Sequence, residues 1–262
     1  MFYPSDKFKL TAMVKKLTDA AHSEERGGHI YGLVAPHAGY MYSGYTAARA
    51  FSLVKDRHYK HIIILSPSHY EAFNGCSVCE ASAFETPLGT MTVDRELASE
   101  LMKYSDRIFF SKRGHEREHG IETELPFLQY IWGDVSFVPV VMGSQNEETI
   151  SALAAALSAA ALNKDTLIIT STDLSHFYRQ KQADRLDAEV ANEINAMNPA
   201  ELEVKFRTGV AEACGAGLLL SQMKAYTNIT ELKGEVLYRT DSSEASGDTE
   251  SVVGYLSAVF YA

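Results

Sequence analysis

Short apolar runs alternate along the chain with stretches whose apolar positions recur every three or four residues. The runs "IYGLVAP" (30–36), "HIIILSPSHY" (61–70), "VSFVPVVMG" (135–143) and "TLIITSTDLSH" (166–176) read as strands. Their near-continuous Ile, Leu and Val content fits strands buried on both faces. Between them lie helical patterns. The first covers residues 7–22 behind a Ser5 or Asp6 cap, and another starts near Ser43 in "SGYTAARAFSLVKD". "DRELASELMKY", "IETELPFLQYIW", the alanine-rich "NEETISALAAALSAAAL", "ADRLDAEVANEINAM" and "GAGLLLSQMKAY" continue the series. Residues 76–93 hold "TPLG" between alternating segments, the mark of a hairpin or excursion. The C-terminal "GEVLYRT…SVVGYLSAVFY" reads as two strands around a polar loop, paired antiparallel at a sheet edge. This alternation predicts an α/β fold with a mainly parallel central sheet flanked by helices on both faces. No linker or repeat interrupts it, so residues 1–262 are expected to form one domain.

Composition narrows the function. A formal charge of −10 with scattered acidic residues argues against a nucleic-acid partner, which needs a basic face. No run approaches the roughly 18 apolar residues of a membrane span, and no signal-peptide pattern opens the chain. Cys76, Cys79 and Cys214 are too few and odd in number for a disulfide framework. Together these predict a cytoplasmic protein without a membrane or nucleic-acid partner.

Three of the nine histidines follow apolar runs closely: His37, His69 and His176. A lone histidine after a strand is usually a loop residue with satisfied nitrogens. Three at equivalent positions point to one crevice, because sites in open α/β sheets form outside the carboxyl ends of the strands. His119 stands before a helical pattern, with Glu122 three residues on. Cys214 precedes "GAGLLL", where a helix N-terminus would lower a thiol pKa. Two imidazoles and a thiolate suit a transition metal: iron, copper or zinc. Asp173, three residues before His176, fits an orienting carboxylate or a ligand.

Other patterns carry less. "CSVC" has C-x-x-C spacing, but a strand points its two sulfurs to opposite faces, and no second pair exists. "CGAG" lacks the third glycine of a dinucleotide loop. Tyr40, Tyr42 and Tyr45 fit either a pocket lining or packing beside the first strand.

"FYP", "APHAGYMYSG", "ILSPSHY", "TPLGT", "EHGIETELPFLQ", "STDLSHF", "CGAG" and "SGDTESVVGYLSAVF" occur in an order that resembles the Memo family. Microbial members are called AmmeMemoRadiSam system protein B. Members usually carry a few residues before "FYP", so the N-terminus here is expected to be short. The resemblance implies a fold like that of class III extradiol dioxygenases of the LigB type, which cleave catechols with non-haem Fe(II). It implies His37, His69 and Cys214 as metal positions, with Cys214 where a dioxygenase has a carboxylate. Glu212, two residues before Cys214, is a substitute ligand ranked below it. It further implies His176 as an acid/base residue and His119 as a contact for substrate or oxygen.

Three functions compete at this level. One is a redox enzyme acting on a small aromatic or phenolic molecule, with Asp173 orienting His176. Another is a metal-binding partner of a radical-SAM or AMMECR-type protein. The last is a metal-assisted hydrolase with Glu122 or Asp173 as base.

Overall fold

The computed structural model describes residues 2–21, 26–162 and 165–262. Its strands are β1 (Ile30–Ala35), β2 (His61–Pro67), β3 (Cys76–Cys79), β4 (Ala83–Thr86), β5 (Gly89–Thr92), β6 (Ile108–Ser111), β7 (Val138–Met142), β8 (Thr166–Ser171), β9 (His176–Tyr178), β10 (Lys233–Asp241) and β11 (Val252–Tyr261). Its helices are α1 (Lys7–Ala20), α2 (Tyr40–Phe51), α3 (Arg95–Met102), α4 (Leu125–Trp132), α5 (Glu147–Ala160), α6 (Gln180–Asn195), α7 (Pro199–Thr208), α8 (Ala216–Ala225) and the short α9 (Ser243–Ser246). The sheet runs in the order β10-β11-β1-β8-β2-β7-β3-β6, with β9 pairing β11.

The central strands β1, β8, β2 and β7 are mutually parallel. Side chains alternate across a strand, so each run serves two cores. Ile62 and Ile64 of β2 pack with Leu10 and Val14 of α1, Phe51 of α2 and Phe127 of α4. Ile63 and Leu65 pack on the other face with Leu97, Leu153, Val190 and Leu218 of α3, α5, α6 and α8. Burying each such Ile or Leu is worth about 1.5–3 kcal/mol, and this explains why the runs lack polar interruptions.

Both ends of the sheet turn antiparallel, β3 against β7 and β11 against β1. The expected hairpin is β4–β5. Of the two C-terminal strands, β10 forms the edge, while β11 lies inside between β10 and β1. The sequence pattern missed α7, β6, β9 and the short α9 in the expected polar loop. The first helix ends at Ala20, its expected last residue His22 lying outside the described residues. Helix α2 begins at Tyr40, before Ser43. Residues 121–124 are turns, so α4 starts at Leu125.

Candidate metal centre

β1, β8 and β2 are consecutive neighbours, and hydrogen-bonded strands lie about 4.8 Å apart. The loops after their carboxyl ends therefore open side by side. His37 comes from the first, Asp173 from the second, with His176 opening β9 just beyond it, and His69 from the third. The His37 and His69 ring centroids are 5.0 Å apart, and His119 lies 4.7 Å from His69 and 5.3 Å from His37.

Cys214 reaches this cluster from the loop between α7 and α8. Its N–H donates to the Asp173 carbonyl at 3.2 Å, and the Asp173 N–H donates back to Sγ at 3.2 Å. Gly215 N–H donates to Thr172 Oγ1 at 2.8 Å. Gln145, just after β7, donates to the Cys214 carbonyl at 2.6 Å and accepts from Gly217 N–H at 2.6 Å. Position 215 must be glycine for this approach, since a Cβ there would sit 2.7 Å from the Thr172 Cβ. Sγ ends 3.3 Å from His37 Nε2.

Both His37 and His69 have Nδ1 occupied by a protein partner. His37 Nδ1 lies 2.9 Å from Ser171 Oγ, and His37 N–H donates to Asp173 Oδ1 at 2.8 Å. His69 Nδ1 lies 2.8 Å from Glu118 Oε1, and its backbone N–H donates to Oε2 at 2.8 Å. Glu118 also accepts from the backbone N–H groups of His119 and Gly120, at 2.9 and 3.0 Å. Among the described residues two groups of three side chains bring ligand atoms within 4.8 Å of one another: His37, His69 and Cys214; and His69, Glu118 and His119.

Burial sets the charges. It holds His37 down to about 3, helped by the neighbouring His69, and holds His119 down to about 4, helped by His37. Both rings are neutral near pH 7 with lone pairs available. Burial also acts to raise Glu118, but hydrogen bonds from His69 and Gly120 outweigh it and hold the carboxyl at about 2. Asp173 is raised to about 6 by burial, against the hydrogen bond from His37 N–H. Cys214 does precede a helix, with Gly215 at its N-cap, yet its thiol is pushed up to about 12. Burial and the Asp173 carboxyl overcome the helix terminus that the sequence led one to expect would favour thiolate.

Residues 1–259 match the family described as Memo-like protein. A MEMO1 family protein of Methanobrevibacter smithii is 35% identical, covering 99% of this chain and 96% of its own length. Another, from Nitrosopumilus maritimus, is 31% identical over 97% and 94%. The chain belongs to the Memo family. An uncharacterized Escherichia coli K12 protein of known crystal structure shares the fold of this Memo chain, with a TM-score of 0.57 at 13% identity over 88% of this chain and 99% of its own. That likeness shows the fold alone.

The remaining candidates in this Memo chain sit differently. His176 opens β9, its N–H donating to Glu212 Oε1 at 3.3 Å. Glu212 Oε2 accepts from Tyr178 at 2.8 Å, so Glu212 ties down β9, and among the described residues it joins neither group of ligand atoms. Glu122 Oε1 accepts from Tyr3 at 2.7 Å, which fastens the N-terminal segment. Phe2 of that segment stacks on His119 at 4.3 Å. Tyr40 is buried and donates to Thr123 O, Tyr42 is exposed, and Tyr45 packs edge-on against Tyr238. Cys76 and Cys79 are free and buried in β3, away from this cluster in sequence order and sheet position. Glu118 is the partner that sequence reasoning overlooked; its only signal was adjacency to His119. Among the described residues no helix is long and apolar enough to cross a membrane.

Proposed function

We propose that the protein holds a transition metal ion through His37, His69 and Cys214 and acts as a redox enzyme on a small, flat aromatic or phenolic molecule. The observation that carries this reading is the gathering of three soft or borderline ligand groups from three separate loops within 4.8 Å. The donor set fits an ion. Bonds of about 2.0–2.1 Å to imidazole and about 2.3 Å to sulfur put a tetrahedral N–S pair roughly 3.5 Å apart. The His37 Nε2 to Sγ separation of 3.3 Å is close to that. Glu118 behind His69 is the carboxylate–histidine arrangement that orients ligating imidazoles. Iron or copper would supply redox chemistry here and zinc Lewis acidity, and the sulfur weights the choice toward copper or zinc.

The chain's own residues supply the rest. Asp173, raised to about 6, exchanges a proton near neutral pH and lies three residues from His176. His119 presents a neutral ring to the same space. Phe2 and Tyr70 flank it, with centroids 4.3 and 6.2 Å away, a surround suited to a planar apolar guest. Reconstitution under anaerobic conditions with Fe(II), Cu(I) or Zn(II), followed by metal analysis and oxygen uptake with catechols, tests this. Absence of bound metal in all three preparations would defeat it.

One observation favours a second reading, a metal carrier that serves a partner protein such as a radical-SAM or AMMECR-type neighbour. Met41, Tyr70 and Phe177, each close in sequence to a site histidine, are 70%, 61% and 76% exposed. Phe177 holds φ at 64°, a strained setting for a bulky exposed residue. Tight metal binding with no oxygen uptake, and transfer to a chelating acceptor only when a partner is added, would favour this reading over catalysis.

A further inference from the structure

Ser171 closes β8, and its hydroxyl meets three groups at once. Oγ lies 2.9 Å from His37 Nδ1, 2.6 Å from the Gly120 carbonyl and 2.8 Å from Glu124 Oε1. A serine hydroxyl has one proton and two lone pairs. A carbonyl only accepts, so the proton goes to Gly120 O, the shortest of the three contacts. The lone pairs are left facing His37 Nδ1 and Glu124 Oε1, and both of those atoms must then donate. His37 is therefore the Nδ1–H tautomer, and Glu124 is a carboxylic acid with its proton on Oε1.

Independent features agree with this assignment. Glu124 is fully buried, and burial raises its pKa well above the carboxylate range. Among the described residues its Oε2 has no hydrogen-bond partner, a situation a buried acid tolerates far better than a buried anion. The Gly120 backbone is pressed against the ring: a Cβ there would lie 2.3 Å from Ser66 Oγ and 3.2 Å from His37 Nδ1. With Nδ1 carrying the proton, the lone pair sits on Nε2, which faces Cys214 Sγ at 3.3 Å.

We propose that Glu124 and Ser171 form a positioning pair that holds His37 as the Nδ1–H tautomer and aims its Nε2 lone pair at the metal position. This rests on His37 being a ligand, but the tautomer itself is readable in the metal-free protein. Histidine ¹H–¹⁵N correlation spectra of the full chain show which nitrogen carries the proton. Infrared spectra at pH 8 show whether a carboxylic-acid carbonyl band survives. The expected wild-type result is Nδ1–H alone, together with such a band. Glu124→Gln should lose the band and keep the tautomer, because an amide N–H replaces the acid O–H. Ser171→Ala should release the ring to a mixture containing Nε2–H. It should also weaken Zn(II) binding about 10–100-fold, the range for loss of an outer partner of a ligating histidine.

A bare Nδ1 in the wild type, no acid band at pH 8, or an unchanged tautomer in Ser171→Ala would each overturn the pair. Should Ser171→Ala not fold, the wild-type and Glu124→Gln spectra still decide. A wild type that shows the stated tautomer and band but binds no Zn(II), Cu(I) or Fe(II) would sink the proposed function and leave the tautomer lock standing.

Discussion

His37 and His69 face the same space from neighbouring loops, yet they are held by opposite means. His37 is buried, and its outer nitrogen meets a serine hydroxyl backed by a neutral glutamic acid. The His69 side chain is 26% exposed, and its outer nitrogen meets Glu118, an anion gripped by three backbone N–H groups. The buried ring cannot be given a charged partner without stranding that charge in the core. The ring at the mouth can, because the loop that carries Glu118 wraps its carboxylate in N–H donors. If both rings bind an ion as proposed, one site combines a ligand of fixed tautomer with a ligand whose donor strength a nearby charge enhances.

Removing a ligand is the largest way to break this comparison. His37→Ala, His69→Ala and Cys214→Ser should each lower metal affinity by more than the roughly 100-fold expected from losing an outer partner. Folding should separate the two histidines. His37→Ala empties a buried position and should cost about 2 kcal/mol or more, while His69→Ala at the rim should cost well under that. Metal stoichiometry beside thermal melts of all four proteins checks both statements. Equal metal content throughout would remove the ligand assignment.

Glu118→Gln comes next. It should weaken metal binding about 10–100-fold by loosening His69. It also places an amide donor against an N–H that needs an acceptor. Glu118 is held at about 2 against an ordinary value of 4.5, so its stabilising share is present above about pH 4.5 and is lost as pH falls toward 2. That share is about 3 kcal/mol. The depressed His37 and His119 act with the same sign. Their contribution is complete above about pH 6.5 and is lost on acidification toward 3 and 4, because the unfolded chain takes up protons first. Urea midpoints across pH 3 to 7 should therefore fall steeply in the wild type. The slope below pH 4.5 should be shallower in Glu118→Gln, and identical slopes would show that this carboxylate carries no such share.

The difference between the two histidines also explains what could be read from sequence. The strand ends were legible because runs such as "HIIILSPSHY" are buried on both faces and must stop where polar chain begins. His37, His69 and His176 were visible for the same reason. Glu118 and Ser171 were not, because their importance lies in contacts that cross 49 and 134 residues of chain. Glu122 attracted attention by helical spacing from His119, but residues 121–124 form turns and not a helix. The thiol of Cys214 was misjudged because a helix terminus is a local signal, whereas burial and Asp173 are not. β6 and β9 are too short, at four and three residues, to show a period.

The thiol supplies a smaller effect. Because Cys214 is pushed up to about 12, it is protonated in the metal-free protein at pH 7 to 8 and must release that proton on binding. His37, held at about 3, releases none in that range. Zn(II) affinity should then rise at least about tenfold per pH unit between 6.5 and 8.5. Calorimetry in buffers of different ionisation enthalpy should count at least one proton per ion. A count of zero would mean the sulfur is already thiolate or is not a ligand.

The smallest effect belongs to Glu122, four residues from Glu118. Its carboxyl accepts from the Tyr3 hydroxyl, and a glutamine oxygen accepts equally well. Glu122→Gln should therefore change stability by less than about 1 kcal/mol and leave Zn(II) affinity within about twofold. Tyr3→Phe removes the donor itself, so it should cost about 1 kcal/mol of stability while also leaving Zn(II) affinity within about twofold. The same acid-to-amide change in one loop would then have consequences differing by an order of magnitude or more. A fall in Zn(II) affinity for Glu122→Gln matching that of Glu118→Gln would erase the distinction. It would mean that the whole 118–124 loop, and not the carboxylate on His69, positions the ligand. Loss of oxygen-dependent turnover in Glu122→Gln with metal binding intact, absent from Tyr3→Phe, would instead assign Glu122 a part in the chemistry.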